Sequence, residues 1–385
     1  MAVSERIADF KQSLLGMRLK ELRHRFFFGQ RYKRMIQARE RFARCRERKP
    51  RGQMRREILL CRSFWRCQPL HYLRYNLYRR DRPLSELELI GFVPEFFFYQ
   101  LFLPHYDSKK YQVLLTDKII TEQFFRSLGI AQPPTLAKLI GGRLFTEDLE
   151  ETDFGRLAAA IRESRPRKLF VKPGDGLGGY GIHVFRLQED NRYTDARGEM
   201  FAAEFLYGIG RGNDFIIQPG LEQDPQLSAI YPRSVNTFRV LSENRGQGAR
   251  VLLSTLRIGR GGREVDNSAQ DNIVVKVDAS GGALGAVAST ESGERFARHP
   301  DTGHVFAGTT IGRWPEVESF VRAAADKMPQ FTYLGWDIAL TPEGPLAIET
   351  NLDFGLDHYQ AVLGGIREVL GIDDPGFYWQ NRGKR

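Results

Sequence analysis

The chain has 385 residues, of which 42% are hydrophobic and 27% charged, a composition typical of a globular protein with two or three domains. It has no run of 18 apolar residues, no apolar signal core and only three cysteines without metal-like spacing, so the sequence predicts a reduced, cytoplasmic protein without a membrane span. The net charge of +10 is uneven, because residues 1–82 carry 24 Lys and Arg against 7 Asp and Glu while the remaining chain is mildly acidic.

The basic N-terminal region is predicted to be mainly helical. Residues 5–48 contain no proline and place apolar residues at helical spacing, with Gly29 as a candidate interruption, and a second helical segment is predicted over residues 53–79. One interpretation of the charge is contact with nucleic acid, a carrier protein or another acidic surface. The other is a helical extension that packs on the body of the protein or forms an oligomer interface. The apolar stripe favours the second, because such a stripe requires burial.

Beyond residue 115 the pattern changes to mixed α/β. Thr116 or Asp117 begins, and Gly129 ends, an apolar periodic segment with the features of a capped helix. Further helices are predicted at about residues 148–164, 197–209, 315–328 and 359–370. Strands are predicted within residues 135–145, 214–221, 237–242, 249–259 and 273–288.

The stretch KLFVKPGDGLGGYGIHVF, residues 168–185, contains the pattern G-x-G-x-x-G between two segments of strand composition. A dinucleotide site needs a helix after the glycines, and a Walker A loop needs Gly-Lys-Ser/Thr; this stretch has neither. The Asp-Phe-Gly triplets at 153–155 and 353–355 suggest a protein kinase, but no histidine of the sequence is followed by the Arg-Asp of a kinase catalytic loop. The strand–loop–strand arrangement therefore requires another kind of nucleotide site.

The strongest chemical signal is GWDIALTPEGPLAIETN, residues 335–351. It predicts two antiparallel strands joined at residues 341–344, which brings Asp337 beside Glu349 and places Glu349 and Asn351 on one face. Two carboxylates and an amide oxygen are hard donors that suit Mg²⁺ held together with nucleotide phosphates. The alternative is a surface hairpin with solvated acids. Apolar flanking strands favour the site, since carboxylates between them require charge compensation.

Five blocks in order resemble the sugar-transfer-associated ATP-grasp family, whose relatives include α-L-glutamate-ligase-like proteins. They are LHYLRYNLYRR, VKPGDGLGGYGI, IIQPGLEQDPQLSAIYPRSVNTFRVLS, LRIGRGGREVDN and GWDIALTPEGPLAIETN, and the resemblance covers about residues 70–365. It implies an α/β (α+β) fold in which two ATP-grasp subdomains grip ATP. The implied division is a basic helical extension over residues 1–105, a lid subdomain with the glycine-rich loop over 106–215, and a C-terminal subdomain with the metal site over 216–385.

The resemblance also implies roles for individual residues. The nucleotide would be bound by Lys118, Lys172, Gly176, Gly178, Gly179, Gly181, Gln218, Pro219, Gly220, Leu221 and Glu222. Catalysis would depend on Lys172, Arg239 and Arg257, and the metal on Asp337, Glu349 and Asn351. Substrate candidates are Asn267, Asp353, Asp357 and His358, which lie where the segments SAQDNIVV and LDFGLDHYQ depart from the family pattern. A surface lysine at a helix start, an exposed loop acid and a turn asparagine are the alternatives for Lys118, Glu222 and Asn267, respectively.

The implied activity is ATP-dependent ligation of a carboxylate to an amine, or to a thiol, through an acyl phosphate. ATP and two Mg²⁺ ions, or Mn²⁺ in their place, would be the cofactors. The co-substrates would be a small-molecule or peptide carboxylate and an amine, in a pathway to a peptide-like, amino-acid or sugar-acid product. A kinase that phosphorylates a sugar or other hydroxyl compound is one alternative. The other is a nucleotide-binding adaptor without turnover.

Overall fold

The structure is a computed structural model and describes residues 13–31, 33–107, 109–175, 181–263, 272–290 and 293–382. Its helices are α1 (Leu14–Arg31), α2 (Lys33–Arg44), α3 (Arg51–Trp65), α4 (His71–Arg74), α5 (Glu86–Gly91), α6 (Glu95–Phe97), α7 (Leu103–Tyr106), α8 (Val113–Thr116), α9 (Lys118–Ser127), α10 (Phe154–Ser164), α11 (Ala203–Ile209), α12 (Pro225–Ile230), α13 (Trp314–Asp326), α14 (Asp357–Leu363) and α15 (Pro375–Gln380). A π-helical turn (Phe98–Phe102) precedes α7, and a 3-10 turn (Lys109–Tyr111) precedes α8. Within the described ranges, no helix is both long and apolar enough to cross a membrane.

The strands form two seven-stranded sheets. They are β1 (Ala137–Ile140), β2 (Arg143–Phe145), β3 (Glu151–Thr152), β4 (Lys168–Pro173), β5 (His183–Leu187), β6 (Tyr193–Thr194), β7 (Phe215–Pro219), β8 (Thr237–Glu243), β9 (Arg250–Ile258), β10 (Ile273–Val277), β11 (Ala288–Thr290), β12 (Arg295–Phe296), β13 (Tyr333–Thr341) and β14 (Gly344–Asn351). The first sheet has the order β3-β2-β1-β7-β4-β5-β6, and the second has the order β12-β11-β10-β9-β8-β13-β14. Two antiparallel sheets with interspersed helices confirm the predicted α/β (α+β) fold class.

The first sheet buries one face against helix α10. Leu157 and Ile161, one helical turn apart on α10, share a core with Leu139, Val171 and Ile217 of the central strands. Strand β7 belongs to this sheet, since it pairs with β1 and β4. The predicted subdomain boundary at residue 216 therefore falls inside a strand, and the division at that residue stays a prediction.

The second sheet is covered on both faces. Phe238 and Trp336 point to one face and pack with Val317 and Val321 of α13. Successive residues of a strand alternate between faces, so the neighbouring polar residue Arg239 lies on the opposite face. That opposite face carries the candidate site described below.

The N-terminal helices pack on the second sheet and on the C-terminal segment. Trp65 and Phe97 lie in one buried cluster with Leu241 and Tyr333 of the sheet and with Trp379 near the C-terminus. The indole N–H of Trp379 donates to the carbonyl of Trp65 at 3.0 Å. The N-terminal region is therefore a helical extension that packs on the body of the protein. The burial predicted for its apolar stripe is wrong for most of the described stripe residues, since Met17 is buried but Leu14, Leu15, Leu19 and Leu22 are exposed.

Several predicted helices are shorter or divided in the structure, and the one predicted over residues 197–209 begins only at Ala203. The segment 53–79 separates into α3 and α4, because Arg66 adopts a left-handed φ of 55° and Pro69 offers no N–H to continue the helix. The helix predicted near residues 359–370 is α14. It ends at Leu363, because the next residue, Gly364, adopts a positive φ of 85°. Gly29 does not interrupt α1.

The first Asp-Phe-Gly triplet is a helix start. Asp153 caps α10 by accepting a hydrogen bond from the backbone N–H of Arg156 at 3.0 Å. The predicted helix therefore begins at Phe154 and not at residue 148. Asp117 caps α9 in the same way, which confirms the predicted capped helix there.

The predicted hairpin is present. Strands β13 and β14 pair antiparallel from Gly335 opposite Asn351 to Thr341 opposite Gly344. Asp337 lies directly opposite Glu349, and the register shifts between Asp337 and the next residue. This irregularity is a β-bulge, which increases the local twist beside the two carboxylates.

Candidate nucleotide and metal site

Lys172 lies where the two sheets approach each other. It is on β4, and its Nζ donates to Oε1 of Gln218 on the adjacent strand β7 at 2.9 Å. Burial and the charge of Lys118 lower the pKa of Lys172 to about 8, and the charge of Glu349 acts in the opposite direction. Since Lys172 is in the first sheet and Glu349 in the second, these charges interact between the sheets.

Lys118 is held beside the strand that carries Lys172. The carboxylate of Asp117 accepts hydrogen bonds from the N–H groups of Ile119 and Ile120, both at 2.9 Å, and so fixes the start of α9. The backbone N–H of Lys118 donates to the carbonyl of Gly174 at 2.8 Å, immediately after β4. Burial lowers the pKa of Lys118, and Glu349 opposes this change. Both lysines are therefore electrostatically coupled to the same carboxylate.

A polar row crosses the second sheet. Directly opposite residues in neighbouring antiparallel strands present side chains on the same face. The row formed by this pairing consists of Lys276, Thr255, Arg239, Asp337 and Glu349. It ends at Glu349, the residue coupled to the lysines of the first sheet.

Asp337 is clamped between two buried arginines. Arg239 donates from Nη1 to one carboxylate oxygen at 2.7 Å, and Arg257 donates from Nη1 to the other at 2.8 Å. Burial alone would raise the pKa of Asp337, but the two guanidinium groups hold it below its ordinary value. Arg239 also donates to the carbonyl of Phe354 at 3.0 Å. The second Asp-Phe-Gly triplet thus helps to orient Arg239.

The three predicted metal ligands lie close together and fit a magnesium ion. Asp337 faces Glu349 across the strand pair, and Nδ2 of Asn351 donates to Oε1 of Glu349 at 2.7 Å. This contact leaves the amide oxygen of Asn351 available, and each carboxylate oxygen of Asp337 keeps a second lone pair beyond its arginine. Among the described residues, no group of three or more His, Cys, Asp and Glu is arranged to hold a metal. The donor set here is two carboxylates and one amide, all hard oxygen ligands.

The segment after β7 connects the sheets. Gln218 is buried and Glu222 is exposed, while the backbone N–H of Gly220 donates to the carbonyl of Lys168 at 2.8 Å. A Cβ at Gly220 would lie 3.0 Å from the Cβ of Lys168, so glycine permits this close approach. Farther along, the N–H of Asp224 donates to the carbonyl of Leu340 in the second sheet at 2.8 Å. The segment is therefore anchored to both sheets, and the family resemblance implies that it is the hinge between the two subdomains.

Some predicted site residues are elsewhere or not described. Gly176, Gly178, Gly179 and Asn267 lie outside the described residues. Gly181 is described, with a φ of 75°, and lies two residues before β5. Pro219 and Leu221 are half-buried beside Gly220. Asp353 is exposed, Asp357 is the first residue of α14, and His358 is half-buried, with a charge that helps to lower the pKa of Asp337.

Several further polar residues near the site were not predicted from the sequence. Thr255 and Ser289 are buried, and their hydroxyl oxygens have no hydrogen-bond partner in the described part of the chain. Tyr359 of α14 is also buried. Burial raises the pKa of its phenol, and the charge of Arg239 opposes that rise. Thr255 lies two residues before Arg257 on β9, so strand alternation could have placed both on one face. Ser289 and Tyr359 depend on distant packing and carry no such local signal.

Comparisons with known proteins place the chain in a family. The family described as sugar-transfer associated ATP-grasp matches residues 98–370. No curated protein matches the sequence. The similar solved structures include N5-carboxyaminoimidazole synthase from Aspergillus clavatus, with 9% identity, 69% of this chain and 54% of that chain covered, and a TM-score of 0.40. D-alanyl-alanine synthetase A from Vibrio cholerae has 11% identity, 70% and 66% coverage, and a TM-score of 0.40.

A third solved structure is the biotin carboxylase domain of the Hydrogenobacter thermophilus 2-oxoglutarate carboxylase. It has 12% identity, 71% of this chain and 46% of that chain covered, and a TM-score of 0.39. The chain spans about half the length of this structure and of the Aspergillus one.

Proposed function

This chain belongs to the sugar-transfer associated ATP-grasp family, and from that premise we propose that it is an ATP-dependent ligase that joins a carboxylate to an amine, or to a thiol, through an acyl phosphate. The observation that carries the proposal is the arrangement of Asp337, Glu349 and Asn351 on one hairpin, where the charge of Glu349 also acts on the pKa of Lys118 and of Lys172. Two cations from one side of the fold meet a carboxylate of the predicted metal site from the other side. Such a meeting point suits the phosphates of a nucleotide.

In this proposal ATP lies between the two sheets. Lys118 and Lys172 neutralise phosphate charge, and the family resemblance implies that the glycine-rich sequence after Lys172 also contacts the phosphates. The hinge residues Gln218 to Glu222 meet the adenosine portion. The hydrogen bond from Lys172 to Gln218 would orient the lysine before the nucleotide binds.

Asp337, Glu349 and Asn351 would hold magnesium, which supplies positive charge to the phosphates when bound. Arg239 and Arg257 orient the carboxylate of Asp337 from the opposite side. Their positive charges also favour the negative charge that develops on the transferring phosphoryl group. The arginines therefore contribute both position and electrostatics.

The reaction needs no protein nucleophile. An oxygen of the substrate carboxylate attacks the γ-phosphorus, the bond from that phosphorus to the bridging oxygen breaks, and ADP leaves. The amine then attacks the acyl carbon, inorganic phosphate departs with its electron pair, and the amine proton passes to solvent. The protein contributes position, exclusion of water and charge compensation, which are the main sources of rate in phosphoryl transfer.

Hydroxylamine provides a test when the natural amine is unknown. It reacts with acyl phosphates to give hydroxamates, so a panel of amino acids, short peptides and sugar acids can be screened with one amine. We expect at least one acid to give ADP, phosphate and hydroxamate in equal amounts, and to transfer ¹⁸O from its carboxylate to the released phosphate. Turnover that leaves the phosphate on the acceptor would contradict a ligase.

A kinase acting on a hydroxyl compound is the second candidate. It is favoured by the buried hydroxyl groups of Thr255 and Ser289 on the face that carries Arg257, because they offer uncharged hydrogen-bond partners to a polyol. The same screen separates the two, since a kinase releases ADP without free phosphate and needs no amine. A protein that binds Mg-ATP and turns over nothing in the screen would be an adaptor.

A further inference from the structure

A leucine-rich surface lies on the outer side of the N-terminal helices. The inner side of α1 buries Met17 and Glu21. Its outer side leaves four leucines between 49% and 62% exposed: Leu14, Leu15, Leu19 and Leu22. At 3.6 residues per turn these four fall within one half of the helix circumference. Leu59 of α3, which is 62% exposed, extends the same surface across a groove that it lines together with Leu22.

Arginines border these leucines. Arg23 is exposed at one edge of the leucine face of α1, and Arg18 is exposed within that face. On α3 and at the residue that follows it, the exposed residues around Leu59 are mostly arginines: Arg51, Arg55, Arg56, Arg62 and Arg66. This leucine–arginine surface therefore contains much of the +17 charge of residues 1–82.

The surface is held in place by contacts beneath it. Arg18 donates to Glu21 at 2.7 Å and to the carbonyl of Arg66 at 2.6 Å, while Glu21 accepts from the N–H of Gln68 at 2.7 Å. The guanidinium of Arg18 also lies 4.5 Å from the ring centroid of Trp379. Helix α1 is thus docked on its buried side, and its leucines face outward in a fixed arrangement.

We propose that the leucine–arginine surface docks on an anionic lipid bilayer. A helix that exposes an apolar face with arginines at its borders suits the bilayer interface, where leucines enter the acyl boundary and arginines meet lipid phosphates. Nucleic acid would use the arginines but gives exposed leucines no partner. A second copy of the chain would cover the leucines but would bring two strongly positive surfaces together. The anionic bilayer is the partner that satisfies both features.

Vesicle sedimentation with the full chain tests this assignment. The probes are phosphatidylcholine vesicles, with or without roughly one third phosphatidylserine. We expect binding to the anionic vesicles only. Leu15→Ala/Leu19→Ala should weaken it about tenfold or more, because two buried side chains lose apolar contact. Arg55→Gln/Arg62→Gln should weaken it about fivefold per arginine.

Matched variants control for composition and charge. Leu87→Ala/Val113→Ala removes two exposed apolar side chains from other helices, which are 67% and 52% exposed. Arg143→Gln/Arg156→Gln removes the same charge from the first sheet and α10, where these side chains are 60% and 78% exposed. Both control pairs should bind vesicles like the unchanged protein.

Several results would overturn the proposal. Equal binding to neutral and anionic vesicles would do so, as would full binding by the leucine variant, which would make the contact purely electrostatic. Concentration-dependent dimerisation that the leucine variant abolishes would make this an interface between copies. The assay does not depend on nucleotide turnover, so its outcome is independent of the proposed ligase activity.

Discussion

Asp337 and Glu349 lie opposite each other in one hairpin, yet the same change from acid to amide should affect them differently. Asp337→Asn removes the carboxylate charge to which two buried arginines donate, Arg239 at 2.7 Å and Arg257 at 2.8 Å. The amide keeps one acceptor oxygen but turns an N–H₂ group toward the other arginine. Removing one member of a buried ion network costs about 3–5 kcal/mol. Total stabilities are about 5–15 kcal/mol, so this loss should be visible as a large fall in the unfolding midpoint.

Glu349→Gln should leave the fold nearly unchanged. Glu349 is half-buried, and its hydrogen bond from Asn351 can be kept by the new amide oxygen. The expected change in unfolding free energy is within about 1 kcal/mol. Function should fall sharply instead, because the metal loses one of two carboxylates and both lysines lose their nearby anion. A loss of about 3–4 kcal/mol of charge stabilisation corresponds to roughly a hundred- to a thousandfold in turnover.

Two measurements separate these effects. Urea unfolding without nucleotide gives the stability of each variant, and ATP titration with and without Mg²⁺ gives the contribution of the metal to affinity. Unchanged protein at 100 times its Kd of Mg-ATP should gain about 2.7 kcal/mol of stability. Glu349→Gln should lose the Mg²⁺-dependent part of that gain. Asp153→Asn is the control, since asparagine caps a helix as well as aspartate and should change neither quantity.

Either of two results would contradict these roles of Asp337 and Glu349. If folded Glu349→Gln binds Mg-ATP and turns over like the unchanged protein, the metal assignment is wrong. If Asp337→Asn unfolds at the same urea concentration as the unchanged protein, the arginine clamp contributes nothing to stability, and its burial would need another explanation.

Three further outcomes are expected. ATP affinity should fall about tenfold between pH 7 and pH 9, because the pKa of Lys172 is about 8 and only the protonated lysine attracts phosphate. In titration calorimetry, Lys172→Met should bind ATP more weakly than the unchanged protein and should show no such pH dependence. Burial lowers the pKa of His71 to about 3, so below about pH 6.5 this histidine takes up a proton in the unfolded chain but not in the folded chain. The free energy of unfolding should therefore decrease as the pH falls, by about 1.4 kcal/mol at pH 5.5. His71→Phe should lack this part of the loss. Gly335→Ala should destabilise the protein by about 1–3 kcal/mol or more in the same urea assay, because the new Cβ would lie 2.1 Å from the Cβ of Phe354. Gly208→Ala is the control: a Cβ there would have no other atom within 4 Å, so this change should be neutral or slightly stabilising.

Structure that depends on neighbouring residues could be predicted from the sequence, whereas the register between strands that are distant in the chain could not. The hairpin that carries Asp337 and Glu349 has a short turn, so the sequence predicts that the two acids lie near each other. Their direct pairing depends on the β-bulge between them, because regular pairing from the turn would place Asp337 opposite residue 348. The contact of Arg239 with Asp337 joins residues 98 apart, and it depends on the register of β8 against β13. No local pattern specifies that register. The proximity of Lys172 to Glu349 likewise depends on how the two sheets meet, and only the family resemblance implied it.

Charge balance links the clamp to the proposed nucleotide. The site combines the cations of Lys118, Lys172, Arg239 and Arg257 with the carboxylates of Asp337 and Glu349. Those six side chains sum to a formal charge of roughly +2, against roughly −4 for the phosphates of ATP, and Asp117 and Asp175 add further negative charge near Lys118. The protein alone therefore leaves an excess of negative charge that divalent ions would offset, and Asp337 and Glu349 lie together where such an ion would bind. Since Asp337 is already compensated by its arginines, Glu349 is the carboxylate whose charge is coupled to both lysines. Loss of the Glu349 charge should therefore weaken metal-dependent affinity, while loss of the Asp337 charge should first weaken the fold.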